Sequence, residues 1–106
     1  MTISTGRAVR TSNSVSIRGY ARETDLSVTS SATQTAALTE GSYDIYNSST
    51  TLVVYVKIFP TANDVTTSTG YPIPPNTTIN FDVFTNDKIG AIAASGTTAV
   101  LIHRVG

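Results

Sequence analysis

Short segments of alternating apolar and polar residues recur along this chain, and turn residues separate them. Strict alternation places apolar side chains on one face of a β-strand, whereas an amphipathic helix needs them every three or four positions. The segments lie about 8–12 residues apart, which is typical of antiparallel sandwiches. We therefore expect an all-β protein without helices, an antiparallel β-sandwich or jelly-roll with roughly seven to nine strands.

The strongest strand signal covers residues 52–59, where both faces are largely apolar and indicate a central strand. Pro60 ends it, because proline has no N–H to donate to a neighbouring strand. A Ser95-Gly96 pair predicts a hairpin turn between the last two strands. Further strands are expected near residues 26–29, 32–38, 43–46, 65–67, 78–83, 89–94 and 99–105.

The composition offers little for catalysis or metal binding. Nearly a third of the residues are serine or threonine, while there is one histidine and no cysteine. His103 is the one candidate base, and its place in an alternating strand favours a structural role. Acids in turns, such as Asp64, Asp82 and Asp87, usually cap their own backbone. We expect a protein that is not an enzyme, with no catalytic, cofactor-binding or metal-binding residue and no cofactor.

Charge is distributed unevenly along the chain, although the formal net charge is +0. Residues 1–22 contain four arginines and no acid, and they precede the strand-rich part of the sequence. This predicts an extended N-terminal arm over residues 1–23, with one strand near 14–20, and a β-sandwich domain over residues 24–106. Such a basic arm either docks on a partner or is simply solvated. The residues expected to bind a partner are Arg7, Val9, Arg10, Val15, Ile17, Arg18, Tyr20 and Arg22.

Several partner classes are not expected. A neutral chain gives no electrostatic reason for nucleic-acid binding. No apolar run approaches the roughly 18–20 residues of a membrane span, and the first residues lack the apolar core of a secretion signal. Asn47 and Asn76 begin glycosylation sequons, which are close to chance in a chain so rich in serine and threonine.

Tyrosines provide the alternative of a ligand-binding platform. Aromatic rings can stack on sugars or bases, although tyrosines in strands of a tryptophan-free protein more often belong to the core. This hypothesis leaves open a small carbohydrate-binding β-sandwich module. The five tyrosines are Tyr20, Tyr43, Tyr46, Tyr55 and Tyr71.

Three strings in the second part of the chain form a recognisable series: LTEGSYDIYNSSTTLVVYVKI, GYPIPPNTTINFDV and KIGAIAASGTTAVLIHRV. Their motifs are a Gly-x-Tyr strand ending in asparagine, a valine-rich strand, a proline-rich turn and a closing AIAASGT hairpin. They occupy residues 41–47, 52–58, 70–76 and 89–97. Over residues 38–105 the chain resembles small bacteriophage virion proteins of the β-sandwich kind.

The resemblance implies a structural role in a virion that is assembled in the host cytoplasm. It favours a capsid decoration (cement) protein, a homo-oligomer that binds and stabilises the shell of major capsid protein. A head–tail connector or tail accessory protein, bound to another virion protein, remains the alternative. The resemblance brings no catalytic residue, no nucleic acid and no membrane, and it does not extend to residues 1–37.

Overall fold

The structure is a computed structural model that describes residues 21–106, and these residues form eight β-strands and no helix. The strands make two antiparallel sheets, sheet A in the order β1-β8-β3-β6 and sheet B in the order β2-β7-β4-β5. This confirms the predicted all-β sandwich. The strands are β1 Ala21–Val28, β2 Thr33–Gln34, β3 Gly41–Asn47, β4 Val54–Phe59, β5 Tyr71–Ile73, β6 Thr77–Val83, β7 Lys88–Ala93 and β8 Thr98–Arg104.

The strand pairing has a nested order. β1 pairs with β8, β2 with β7, β3 with β6 and β4 with β5, all antiparallel. This is the pairing obtained when one long hairpin is folded over into two facing sheets, which is the eight-stranded jelly roll. The described part of the chain is therefore a jelly roll in topology.

The core lies between the two sheets, and alternation along each strand builds it. Tyr43 and Ile45 of β3 face Val54 and Val56 of β4 across this layer. Each fully buried valine or isoleucine contributes about 1.5–3 kcal/mol of hydrophobic stabilisation. The other buried members are Leu26, Val28, Ile73, Val83, Ile89, Ala91, Ala93, Val100 and Ile102.

Two strand predictions are confirmed in detail. The segment predicted as a central strand, residues 52–59, contains β4, which lies between β7 and β5 in sheet B. The segment at 99–105 coincides with β8 over residues 99–104, and Val100 and Ile102 of this strand are fully buried. Both strands are therefore positioned by the apolar residues that predicted them.

Two predicted strands are wrong or much shorter than expected. Residues 65–67 form no strand, because Val65 is buried in a loop rather than in a sheet. Of residues 32–38 only Thr33–Gln34 form a strand. Beyond Gln34 the chain still runs alongside β7 but makes only isolated backbone hydrogen bonds. The Thr35 N–H donates to the carbonyl of Ile89, and the Leu38 N–H donates to the carbonyl of Asp87.

The predicted hairpin at Ser95-Gly96 is also wrong. β7 belongs to sheet B and β8 to sheet A, so this connection crosses from one sheet to the other. Gly96 has a φ of +73°, a conformation that glycine adopts without strain. The glycine is therefore required by a tight crossing rather than by a two-residue hairpin.

Candidate functional site

The predicted arm lies almost entirely outside the described residues. Arg22 is the exception, and it lies in β1 opposite His103. Since β1 begins at Ala21, the last three residues assigned to the arm belong to a strand of sheet A. The other predicted partner-binding residues, Arg7, Val9, Arg10, Val15, Ile17, Arg18 and Tyr20, all lie outside the described part of the chain.

A loop covers the outer face of sheet B. This cover loop, residues 60–70, buries Ala62 and Val65 against the sheet. The N–H of Ala62 donates to the Gln34 side chain at 2.9 Å. A Cβ added at Gly90 would lie 1.9 Å from the carbonyl oxygen of Ala62, so the loop depends on a glycine beneath it. The loop thus covers part of the outer face of sheet B, while Phe59 on the same face stays 59% exposed.

An ion pair anchors the same loop. The Lys57 Nζ atom lies 2.7 Å from Asp64 Oδ1 and 5.5 Å from the ring centre of Phe59. The hydrogen bond from Lys57 lowers the pKa of the Asp64 carboxyl below its ordinary value of 3.8. Because Asp64 is exposed, this pair positions the loop and adds little to stability.

The outer face of sheet A is open and polar. Asn80 connects β6 to β3, since its side-chain nitrogen donates to Ser42 Oγ at 2.8 Å and to Asp44 Oδ1 at 2.9 Å. Tyr46 and Leu101, opposite each other on β3 and β8, add two half-buried apolar side chains. This face therefore combines carboxylate, amide and hydroxyl groups around a small apolar patch.

Ser42, on the same face of sheet A, is not arranged as the nucleophile of a triad with His103. His103 lies opposite Asp44 on the outer face, but the Ser42 hydroxyl donates to the Asn80 side-chain oxygen at 3.1 Å. The hydroxyl proton is thus not directed at an imidazole, as a nucleophile would require. Among residues 21–106, no group of three histidine, cysteine or acidic side chains is arranged to hold a metal ion.

The described tyrosines do not share one surface. Tyr43 is fully buried and its hydroxyl donates to the carbonyl of Thr39 at 2.6 Å. Tyr46 lies on the outer face of sheet A and donates to the Asn76 side chain at 3.3 Å. Tyr71 contacts Phe81 on the inner side of that sheet. A flat platform made of several tyrosines is therefore absent from residues 21–106.

The four edge strands of the sandwich differ in how they are protected against further pairing. β2 has two residues, and β5 contains Pro72 and is followed by Pro74 and Pro75. β1 has a register shift between Arg22 and Thr24. Short edges, prolines and bulges are devices that block the addition of another strand. β6 has none of these devices between Thr77 and Phe81, and it carries no charge there.

The register of sheet A shows which backbone groups of β6 have no strand partner among residues 21–106. The N–H of Val105 donates to Ser42 O, and the N–H of Ser48 donates to Ala99 O. The backbone groups of even-numbered β3 residues therefore form their hydrogen bonds with β8. The odd-numbered residues of β3 therefore bond to β6, through pairs such as Ile45 with Ile79. On β6, the backbone N–H and C=O groups of Thr78, Asn80 and Asp82 therefore point away from β3, towards the outside of the sheet. We call this row the β6 edge.

Apolar side chains beside the β6 edge are incompletely covered. Ile79 and Phe81 face inward but are only half-buried, whereas Ile45 of β3 and Val100 and Ile102 of β8, the central strands of the same sheet, are fully buried. The Tyr71 ring meets Phe81 edge-on, with 5.7 Å between ring centres, and remains 56% exposed. Phe84, just after β6, is 66% exposed. The apolar side chains of the core layer are thus partly exposed to solvent along this edge.

A shallow depression adjoins the end of β6. It has a volume of about 170 Å³ and is lined by Glu40, Gly41, Asp82, Val83 and Phe84. Pockets for drug-sized molecules are about 300–1,000 Å³ and enclose most of their ligand, so this depression is too small and too open for one. Its two carboxylates give this end of β6 an acidic character.

The β6 edge was not among the sites predicted from the sequence. Edge position depends on sheet order, which a single alternating segment does not reveal. The available signal was the absence of charge, proline and glycine over residues 77–81, together with Tyr71 and Phe84 at the two ends of a proline-rich and polar region.

Comparisons of the chain with protein-family models, with curated protein sequences and with solved structures found no match. Residues 21–106 include no helix long and apolar enough to cross a membrane.

Proposed function

We propose that this protein is a non-enzymatic structural component of a bacteriophage virion, a decoration protein that binds and stabilises the shell of major capsid protein. The jelly-roll topology supports the proposal, since this fold is frequent in viral capsid proteins. The same fold occurs in lectins and cupins, so topology alone does not establish function. The resemblance to small β-sandwich virion proteins over residues 38–105 gives the narrower assignment.

The observation that carries the proposal is the kind of surface that the molecule offers. The cover loop packs on the outer face of sheet B, the depression beside β6 is small and open, and the unpaired groups of the described residues lie along a strand edge and a polar face. Surfaces of this shape fit an extended chain or another protein better than a small molecule. A protein that coats a shell needs such surfaces and no reaction centre.

The basic N-terminal segment is the proposed contact with the shell. Arg7 and Arg10 lie in a stretch without acids, and guanidinium groups bind carboxylates in a bidentate manner. Many identical sites on a shell allow weak contacts to be repeated over the particle. In this proposal the sandwich forms the outer body and the arm attaches it.

The proposal is tested by electron cryomicroscopy of the particle that contains this chain. We expect copies distributed over the icosahedral shell, in contact with the major capsid protein. A single ring of about six or twelve copies at one vertex, following the rotational symmetry of a neck, would make the chain a connector or tail protein. Absence of the chain from any particle would refute a virion role.

Charge reversal tests the contribution of the arm. Arg7→Glu combined with Arg10→Glu should reduce binding to purified shells at least tenfold, because two guanidinium–carboxylate contacts become repulsive. Lys88→Glu is the matched control, since it reverses a charge on the body outside the arm. Equal binding by the double variant and the control would remove the arm from the proposed contact.

A carbohydrate-binding role is the second candidate, and the exposed Tyr71 ring is the observation that favours it. In that case the isolated protein binds glycans without any particle, and Tyr71→Ala abolishes the binding. Failure to bind a glycan array, together with unchanged shell binding by Tyr71→Ala, would exclude this candidate.

A further inference from the structure

We propose that the β6 edge binds residues 14–20 of a second copy of this chain as an added β-strand. The inference concerns how copies of the protein associate with one another. It does not depend on the virion role, since it is tested on the purified protein alone.

The β6 edge has the chemistry that strand addition requires. The N–H and C=O groups of Thr78, Asn80 and Asp82 are directed away from β3, and within residues 21–106 no strand of sheet A lies beyond β6. Main-chain hydrogen bonds to such a row provide affinity, and alternate side chains provide specificity. Over residues 77–81 this edge has no charge, proline or register shift, so it lacks the usual protection against pairing with another strand, and Asp82 is the one charged residue in the row.

The side chains along this edge indicate what an added strand must carry. On the inner side, Ile79, Phe81 and the exposed Tyr71 ring need apolar cover. On the outer side, Asn80 and Asp82 are polar and exposed. The complementary strand therefore alternates, with apolar residues on one face and polar or basic residues on the other.

Residues 14–20 have this pattern. Val15 and Ile17 are two positions apart and fall on one face of a strand, while Ser16 and Arg18 fall on the other. Added beside β6, Val15 and Ile17 would extend the inner apolar row and cover the Tyr71 ring. Arg18 would then lie on the outer face, which carries carboxylates such as Asp82.

Chain length requires that the segment come from another copy. Neighbouring strands lie about 4.8 Å apart, so a strand beyond β6 is four spacings, about 19 Å, from β1. Ile17 precedes Ala21, the first residue of β1, by four residues, which span at most about 14 Å. The segment of the same chain therefore cannot reach the β6 edge, whereas that of a second copy can.

Disulfide crosslinking tests the contact directly, because the chain has no cysteine of its own. Purified full-length Ser16→Cys protein is mixed under mild oxidation with a size-tagged Thr78→Cys, Asn80→Cys or Asp82→Cys partner, which together allow for different registers. We expect a heterodimer with at least one of the three. A matched mixture with tagged Ala99→Cys, exposed on the central strand β8, should give at least tenfold less product.

A proline substitution tests whether association depends on the free backbone groups. Thr78→Pro removes an N–H that points to the free edge and leaves the bonds between β6 and β3 in place. Sedimentation of the full chain should then show association at least tenfold weaker than in the unmodified protein. The proline removes one hydrogen bond to the added strand, and its ring keeps that strand from approaching closely. Thr78→Val, which keeps the N–H, should associate as the unmodified protein does.

Two results would overturn the inference. One is a full-length protein that sediments as a monomer at about 100 µM with no heterodimer above the Ala99→Cys background. The other is an equal yield of crosslinked product when the Ser16→Cys protein is mixed with the β6 cysteine variants and when it is mixed with Ala99→Cys. A folded monomer that still coats shells would refute this inference alone, whereas an assembled protein absent from every particle would refute only the virion role.

Discussion

Asn47 shows how one polar residue connects the two sheets. It is fully buried at the end of β3, and its side-chain nitrogen donates to Leu52 O at 2.7 Å and Ile73 O at 3.0 Å. Its Oδ1 atom accepts from the N–H of Ser49 at 3.1 Å. These bonds satisfy a carbonyl just before β4 and the carbonyl at the end of β5, both connected with sheet B. The sequon asparagine therefore has a structural role in the folded chain.

Replacement of Asn47 should be costly. Asn47→Ala leaves buried carbonyls without donors, and we expect a loss of about 2–4 kcal/mol in the free energy of unfolding, measured by urea denaturation. Asn80→Ala is the control, because the bonds of that amide are largely exposed, and it should lose less than about 1 kcal/mol. Equal losses in the two variants would contradict this role of Asn47.

The ion pair between Lys57 and Asp64 predicts a titration. The pKa of the Asp64 carboxyl is lowered in the folded chain, so the stabilisation from this pair is present above the ordinary pKa of 3.8. It is lost as the pH falls from about that value through the folded pKa. NMR titration should place Asp64 below 3.8, and Lys57→Met should return it to near 3.8 while Lys88→Met leaves it low. An unchanged Asp64 pKa in Lys57→Met would refute the assigned cause.

At the scale of elements, the cover loop is the feature that makes the two sheets different. Its contact with sheet B needs a position without a side chain at Gly90. The segment predicted as a strand at residues 65–67 belongs to this loop, which packs on the sheet instead of joining it. The apolar Val65 side chain is buried by the packing of the loop on the sheet, and the residue belongs to no β-strand.

Gly90→Ala should lift the cover loop. The new methyl group would overlap the Ala62 backbone, so we expect a loss of about 2–3 kcal/mol in unfolding free energy and faster proteolytic cleavage within residues 60–70. Gly106→Ala is the matched control, since a Cβ there meets its nearest atom at an ordinary 3.5 Å. A Gly90→Ala protein as stable and as resistant as the control would show that the loop does not depend on this contact.

Alternation in the sequence predicted strands better than it predicted their partners. β3, β6 and β8 appear where apolar and polar residues alternate, because one face of each strand meets the core, and β4 appears where both faces are largely apolar. A glycine-containing turn at residues 95–96 serves equally for a hairpin and for a crossing between sheets, so the local signal could not separate them. The β6 edge depends on the order of strands in sheet A, which arises from pairing between distant segments.

At the scale of the whole molecule, the jelly roll joins distant parts of the chain. β1 at the start of the described region pairs with β8 at its end, and each inner pair closes a shorter span of sequence. Such non-local pairing must overcome loop-closure entropy before contacts stabilise it. The fold is therefore expected to form slowly and as one cooperative unit.

Refolding from urea should take milliseconds to seconds, as for other proteins dominated by distant strand pairings. Stopped-flow circular dichroism near 218 nm follows strand formation, and rapid mixing over a range of urea concentrations gives the rate. Completion within about 100 microseconds would show that local contacts, and not the nested pairing, control folding.

The exposed Tyr71 ring has an optical consequence. The chain contains no tryptophan, so tyrosine provides its intrinsic ultraviolet emission. Tyr71 stands against Phe81 with more than half of its surface exposed, while Tyr43 is sealed in the core. Covering the β6 edge would shield the Tyr71 phenol from a dissolved quencher such as iodide and leave the Tyr43 signal unchanged. Occupancy of the edge is thus readable from unlabelled protein, by quenching measured as a function of concentration.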